Sequence, residues 1–445
     1  MRVVIAALLL LLLGVSKISA QGAPPNFVFI MADDLGWADV AFHGGAFPTP
    51  HLDRLAEQNL ELRQHYVAPV CSPTRSGLLT GRCWSRFGVT APINTQALPA
   101  DTMTLPRALQ LAGYDTCLIG KWHLGSAPEV GPNHFGFDHS YGSLAGGISP
   151  WNHRYKQGPW TETWHRNEQL LEEQGHVTDL LTAEAEQWIG TRGDRPFLLY
   201  LPYTAVHLPL KEPQEWLQRV SSDVNGEVAR HYAACVMHFD DAVGRILVAL
   251  EKHGLRENTL VVVTSDNGGS TAENNDLKYP DDHCPNGRLI GNNKPLRGQK
   301  GDVYEGGTRV PTIVSWPGRI AAGKVESPTQ IIDWMPTFCA LAGVELSSDP
   351  RWDGTDLTAL LLQHQALPER SLYTAGPGWR AVSLRRGDWK LVVNGSGENQ
   401  QTALYQIADD PGEEHDISGH NPEQLQRMLE YLKQAAAADR DAVVQ

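Results

Sequence analysis

Beyond its first twenty residues the chain has no apolar run long enough to cross a bilayer, which takes about 20 consecutive apolar residues as a helix. A bundle of membrane-spanning helices is thereby excluded. It has no basic cluster either: 37 Lys and Arg face 51 Asp and Glu, for a formal net charge of −14. A nucleic-acid binder shows the opposite balance. Cysteine is scarce. The six, at positions 71, 83, 117, 235, 284 and 339, have spacings that fit no zinc pattern. There are no internal repeats, which excludes a solenoid or propeller. Nor is the chain poor in apolar residues: 41% are hydrophobic and 20% charged, the composition of a folded globular protein.

The first twenty residues read differently from the rest. Arg2 precedes an apolar run, Val3 to Val15, that contains six consecutive leucines, and Ser16 to Ala20 is short and mostly small. This is the pattern of a secretory signal peptide over residues 1–20, cut after Ala20. It predicts an exported protein, periplasmic or extracellular in a bacterium and secreted or lysosomal in a eukaryote. Export permits disulfides. If Cys71 is set aside for chemistry, however, five cysteines remain and at least one cannot pair within the chain.

At 445 residues the chain can hold a large core and a smaller appended one. Apolar runs alternate with helical patterns, which predicts an α/β protein with a mixed, mostly parallel central sheet flanked by helices. Strands are expected at 27–32 (FVFIMA), 115–120, 197–203, 259–265 and 309–316. Helices are expected at 49–60, 177–189, 228–253 and 331–342. The character changes near residue 345, giving an expected catalytic domain over 21–345 and a small domain over 346–445. Short alternating runs between Trp379 and Tyr405 predict an antiparallel sheet there, and Pro422 to Ala438 a closing helix. Two irregular stretches, Ser143 to Trp160 and Gly268 to Gly301, are longer than structural loops in compact domains usually are, so they are expected to be functional.

Chemistry-bearing residues follow four of the expected strands: Asp33 and Asp34, Lys121 and His123, His207, and Asp266 and Asn267. In open parallel sheets ligands bind at the carboxyl ends of the strands. Three carboxylates and an amide oxygen form a hard-oxygen set suited to Ca²⁺, with Mg²⁺ second; each Asp pair alone would also serve as an ordinary turn. The most distinctive segment is Pro69 to Arg82, PVCSPTRSGLLTGR. Pro73 fits the first turn of a helix running to about Thr80 and closed by Gly81. Cys71 then sits at the positive end of the helix dipole, where a lowered thiol pKa is expected.

Cys71-Ser72-Pro73-Thr74-Arg75 with Leu79-Thr80-Gly81-Arg82 resembles the signature of the type I, formylglycine-dependent sulfatases of the alkaline phosphatase-like superfamily. The likeness extends through Ala32–Gly36, Gly120–Gly125, Ser265–Gly269, Pro295–Gly298 and Glu305–Gly307 to Leu404-Tyr405 and Asp410-Pro411. The resemblance implies that Cys71 is oxidised to formylglycine (3-oxoalanine) by a maturation enzyme. It implies that Asp33, Asp34, Asp266 and Asn267 hold Ca²⁺ with the modified Cys71 nearby. Arg75 and Lys121 would hold the aldehyde hydrate and the sulfate. His123 would take a proton as sulfate departs, and His207 and Lys300 would contact the sulfate and the leaving oxygen. The stretch Asn292 to Lys300 looks most like the arylsulfatase B (N-acetylgalactosamine-4-sulfatase) branch.

The implied reaction is hydrolysis of a sulfate ester, an O-sulfate on a carbohydrate attacked at or near a chain end. Gripping a long polyanion would favour a broad basic groove, which this acidic chain lacks. Trp151, His153 and Arg154 in the loop 146–160 are the expected sugar contacts, since aromatic faces stack on sugars and Arg pairs with anions. Alternatives are an arylsulfatase of small esters, a formylglycine-dependent phosphodiesterase or phosphonate hydrolase, and an exported binding protein on an inactive scaffold.

Overall fold

A computed structural model describes residues 23–275, 277, 279, 282–346 and 351–443. The expected signal peptide lies outside the described residues. Strand β1, Asn26–Ala32, is buried along its whole length. Its side chains alternate between two cores: Phe27, Phe29 and Met31 enter one, and Val28, Ile30 and Ala32 the other. A strand with period-two side chains and apolar residues on both faces must lie inside a sheet covered on both sides.

The sheet is ten-stranded. In chain order its strands are β1, β2 (Leu60–Leu62), β3 (Asp115–Lys121), β4 (His139–Ser143), β5 (Trp164–Arg166), β6 (Gln169–Leu170), β7 (Phe197–Pro202), β8 (Thr259–Ser265), β9 (Ile313–Ser315) and β10 (Gly323–Val325). Across the sheet they run β10-β2-β9-β8-β1-β7-β3-β4-β5-β6. The central strands, from β8 to β4, are all parallel. Strands β9, β5 and β6 add antiparallel pairs towards the two edges.

One core holds α1 (Pro50–Gln58), α4 (Val177–Gly190) and the long α5 (Glu227–Lys252) against the sheet. The other holds α2 (Cys71–Thr80), α3 (Leu105–Leu111) and α6 (Trp334–Ala342). Helix α2 ends as its sequence dictates: Gly81 takes a left-handed φ of 65° and its N–H bonds the Gly77 carbonyl, the standard glycine termination. Two expectations need correction. The strand expected over 309–316 is only three residues long, because Pro311 cannot donate to a ladder and Glu305–Thr308 is a helical turn. The helix expected over 331–342 begins with a separate 3₁₀ turn at Ile331–Asp333. Among the described residues no disulfide joins any cysteine.

Beyond the sheet, β11 (Ser371–Ala375), β12 (Ala381–Arg386), β13 (Trp389–Asn394) and β14 (Gln401–Gln406) form an antiparallel sheet under helix α7 (Pro422–Ala436). Strand β11 was not legible in the sequence, since its short run Leu372–Ala375 ends at Gly376-Pro377. The small sheet shares a core with the main sheet. Tyr373, Ala375, Leu384, Leu391, Leu404 and Met428 belong to the same core as Phe27 and Phe29. An ion-pair knot also ties the two sheets together: Lys390 Nζ on β13 lies 2.9 Å from Glu305 and 2.9 Å from Glu413, all three buried.

Two outcomes follow from this packing. Removing one member of a buried pair leaves uncompensated charge, which costs about 3–5 kcal/mol. Lys390→Ala therefore lowers the thermal midpoint sharply, and a midpoint equal to that of wild type would refute the knot's role. A second group ties α5 to α4. His238, protonated, donates from Nε2 to Asp179 Oδ1 at 3.2 Å and from Nδ1 to Glu212 Oε2 at 2.8 Å. Burial opposes its charge, but these two carboxylates win and push its pKa up to about 9. A raised folded-state pKa stabilises below the unfolded value near 6.5 and loses that contribution as pH rises towards 9. Wild type should thus lose on the order of 1–3 kcal/mol between pH 6.5 and 9 that a His238→Gln variant does not. Parallel pH profiles of the two proteins' unfolding would overturn this.

Candidate active site

Parallel pairing of β1 with β8 sets Ala32 beside Ser265. The next residues, Asp33 and Asp266, therefore leave the sheet side by side. Asp34 follows with a left-handed φ of 66°, a conformation Asp tolerates better than most side chains. Carboxylate oxygens of Asp33 and Asp34 and a ring nitrogen of His207 all fall within 4.8 Å of one another. So do oxygens of Asp33 and Asp266 and the Cys71 sulfur. Asn267 joins them by donating from Nδ2 to Asp34 Oδ1 at 2.8 Å.

Three cations face the three carboxylates. Arg75 Nη2 meets Asp266 Oδ2 at 2.7 Å, Lys121 Nζ meets Asp33 Oδ2 at 2.5 Å, and Lys300 Nζ meets Asp34 Oδ1 at 2.7 Å. Arg75 also donates to the Lys121 carbonyl at 2.6 Å. Helix α2 is pinned at its start, because Thr74 Oγ1 donates to the Asp266 carbonyl at 2.6 Å and Ser72 Oγ to the His123 carbonyl at 2.8 Å. Gly301 N–H donates to the Pro69 carbonyl at 2.8 Å, which brings the Lys300 loop onto the same helix start. The structure thus brings together Asp33, Asp34, Cys71, Arg75, Lys121, His123, His207, Asp266, Asn267 and Lys300.

The electrostatics follow from burial. Desolvation and the neighbouring Asp266 push the Asp33 carboxyl well above its ordinary range. Burial opposes ionisation of Asp34 too, but there Lys300 and His207 win and hold it low. Asp33 Oδ1 and Asn267 Oδ1 are buried and accept no hydrogen bond. Orphaned oxygens beside converging carboxylates are what a hard divalent cation satisfies, so the donor set fits Ca²⁺ or Mg²⁺. Burial pushes the Cys71 thiol up, with Lys121 and Lys300 only partly opposing. The expectation of a lowered thiol is therefore wrong: a helix dipole contributes about 0.3–1 kcal/mol, less than the cost of burying an ionised group. Burial and Lys121 keep His123 neutral, and burial and Lys300 do the same for His207.

A cavity of about 420 Å³ opens over this cluster, lined in part by Cys71, His123, His207, Lys300, Gly146, Tyr155, Lys156 and Tyr279. Gly146 must be glycine, since a methyl group there would lie 2.1 Å from His123 Nε2. The long loop does reach the site, but not through the residues expected. Trp151 donates its indole N–H to the Lys211 carbonyl at 2.8 Å and packs edge-on against His176. His153 is buried, stacked on Trp164. Arg154 faces Glu172 at 3.5 Å. None of the three lines the cavity. Their neighbours Tyr155 and Lys156 do, and so does Tyr279 from the second loop. Nothing in the sequence marks these residues beyond their place in long irregular segments.

This fold and this constellation have relatives. The sulfatase family profile matches residues 25–344. Human arylsulfatase A is 32% identical across 98% of this chain and 92% of its own length. Mouse N-acetylgalactosamine-6-sulfatase is 32% identical across 93% of this chain and 86% of its own. The crystal structure of Ps i-CgsB in complex with k-i-k-neocarrahexaose superposes with a TM-score of 0.83, at 30% identity over 94% of each chain. Phosphonate monoester hydrolase of Agrobacterium radiobacter, at 18% identity and a TM-score of 0.63, shares the fold. The chain belongs to the sulfatase family and is a sulfuric ester hydrolase.

Proposed function

We propose that the chain hydrolyses an O-sulfate on a carbohydrate, at or near a chain end, with residue 71 oxidised to formylglycine and Ca²⁺ held by Asp33, Asp34, Asp266 and Asn267. The observation that carries this reading is the Cys71 sulfur. It lies on the cavity wall within 4.8 Å of oxygens of Asp33 and Asp266. When bound, the ion would supply charge stabilisation at the reacting centre, and the aldehyde of formylglycine, once hydrated by water, would supply an oxygen nucleophile.

The chain's own residues account for the rest. Asp33, Asp34 and Asp266 are balanced by Arg75, Lys121 and Lys300, so a divalent ion leaves the site with a positive surplus that favours an anionic ester. Lys300 lines the cavity and is positioned to hold sulfate oxygens, while Lys121, buried against Asp33, adds positive charge to the cluster. His123, neutral and with Nδ1 free of hydrogen bonds, is suited to accept a proton. His207 bonds the Leu208 carbonyl through Nδ1. A carbonyl only accepts, so Nδ1 carries the proton, and Nε2 faces Asp34 at 4.0 Å. To protonate a leaving oxygen, Nε2 must first gain a proton. Burial and Lys300 oppose that gain, and the negative charge of the ester offsets Lys300. The cavity of about 420 Å³ and the net charge of −14 favour terminal over internal sulfates. The saccharide ligands named for Ps i-CgsB and for N-acetylgalactosamine-6-sulfatase favour a sugar over a small aryl group.

Peptide mass spectrometry of active protein should find residue 71 lighter by exchange of sulfur for oxygen and loss of two hydrogens. Cys71→Ala should keep the fold and lower turnover of a sulfated oligosaccharide at least about a thousandfold. Full activity with only unmodified Cys71 would sink the mechanism. For the cation, metal analysis should find about one Ca²⁺ per chain in wild type and far less in Asp34→Ala, which should also melt lower. Undiminished activity after chelation, with no metal detected, would contradict the site.

A further inference from the structure

The cavity holds a second group of residues that the sulfate chemistry does not use. Lys156 Nζ sits over the Tyr155 ring at 5.2 Å from its centroid and over the Tyr279 ring at 5.8 Å. The two rings meet edge to face at 6.1 Å. An ammonium held over two aromatic faces is oriented without being neutralised. Lys300, the other lysine on the cavity wall, is tied to Asp34. Lys156 forms no ion pair among the described residues. Glu273 also lines the cavity, but its nearest charge partner is Arg288, at 3.6 Å.

Tyr279 adds an independent sign. It is 2% exposed, yet its hydroxyl has no hydrogen-bond partner among the described residues. Buried hydroxyls are normally satisfied, and an orphan facing a cavity marks a place for a ligand oxygen. A methyl group on Gly147 would come within 2.9 Å of Tyr279 Oη and 3.1 Å of His207 Cε1. The phenol and the imidazole thus converge on the same bare stretch of backbone, which places the aromatic pair next to the leaving-group side of the site.

We propose that Tyr155, Lys156 and Tyr279 form a second anion-binding subsite, which takes a carboxylate or a further sulfate on the same saccharide whose ester is cleaved. The inference rests on the sulfatase reading. Lys156 supplies the charge, the two rings supply faces for the sugar, and the Tyr279 hydroxyl donates to an anionic oxygen. A purely neutral sugar would use the rings but leave the ammonium without a partner.

The test compares four substrates: 4-nitrophenyl sulfate, a monosulfated neutral disaccharide, its disulfated counterpart, and a monosulfated disaccharide containing a uronic acid. Wild type, Lys156→Met and Tyr279→Phe are measured on each, with and without added salt. Turnover of 4-nitrophenyl sulfate that Cys71→Ala abolishes establishes the sulfatase reading by itself. The subsite then predicts that wild type prefers one of the doubly anionic disaccharides, and which one identifies the group bound. Lys156→Met should lose at least tenfold more kcat/KM on that substrate than on the monosulfated one, through KM, and should flatten its salt dependence. Tyr279→Phe should lose in the same direction by less. Calorimetry on the inactive Cys71→Ala chain should show the same weakening when Lys156→Met is added, a readout independent of turnover. Equal losses on all four substrates, or equal binding of the monosulfated neutral and the doubly anionic disaccharides, would overturn the subsite and leave the sulfatase reading standing.

Discussion

The structure depends on one constraint: two parallel strands in register, β1 and β8, are each followed by an aspartate, and the two carboxylates emerge side by side. With Asp34 a third arrives in the same few ångströms. Carboxylates this close and this buried are not stable together as a charged set without compensation. Much of the surrounding architecture can be derived from that need. Helix α2 presents Arg75 to Asp266, the end of β3 presents Lys121 to Asp33, and the loop after residue 268 returns Lys300 to Asp34. Each cation comes from a different element, so compensating the charge also fastens four parts of the fold together.

The same crowding explains where side chains are forbidden. A methyl on Gly268 would strike the Gly306 carbonyl at 1.8 Å, and one on Gly120 the Pro202 carbonyl at 1.9 Å. These glycines let loops pass close to the strand ends, so that the ligands and cations fit within one small volume. Glu305 lies next to that turn and reaches the distant small sheet through Lys390. The site is therefore coupled mechanically to the C-terminal sheet, even though no residue of that sheet lines the cavity.

How much of this was legible in the sequence depends on the kind of information. The position of Asp33, Asp34, Asp266 and Asn267 could be read because strong apolar strands end immediately before them, and a parallel sheet sends its strand ends to one edge. The helix at Cys71 could be read from Pro73 and Gly81. Side-chain direction in the long loops could not. Trp151 and Tyr155 sit four residues apart in the same irregular segment, yet one is consumed in packing against His176 and the Lys211 carbonyl while the other faces the cavity. Aromatic composition alone does not separate those fates. The cluster of His176, Glu212 and His238 was equally hidden, because its members lie on separate elements and meet only when α4 and α5 pack.

The Cys71 thiol shows why local rules must be weighed against tertiary ones. A helix start favours the thiolate, and two lysines lie near; both effects point to a reactive cysteine. Complete burial reverses the sign. In the folded chain burial pushes the Cys71 thiol up although Lys121 and Lys300, cations that suit an anion, lie near it. That mismatch is informative. On the proposed reading, a site whose charges suit an oxyanion around a buried thiol would serve the product of cysteine's oxidation rather than cysteine itself. Because Cys71 is buried with its helix pinned by Ser72 and Thr74, the arrangement that buries the thiol is also the one that would hold an oxygen nucleophile rigidly against the cations.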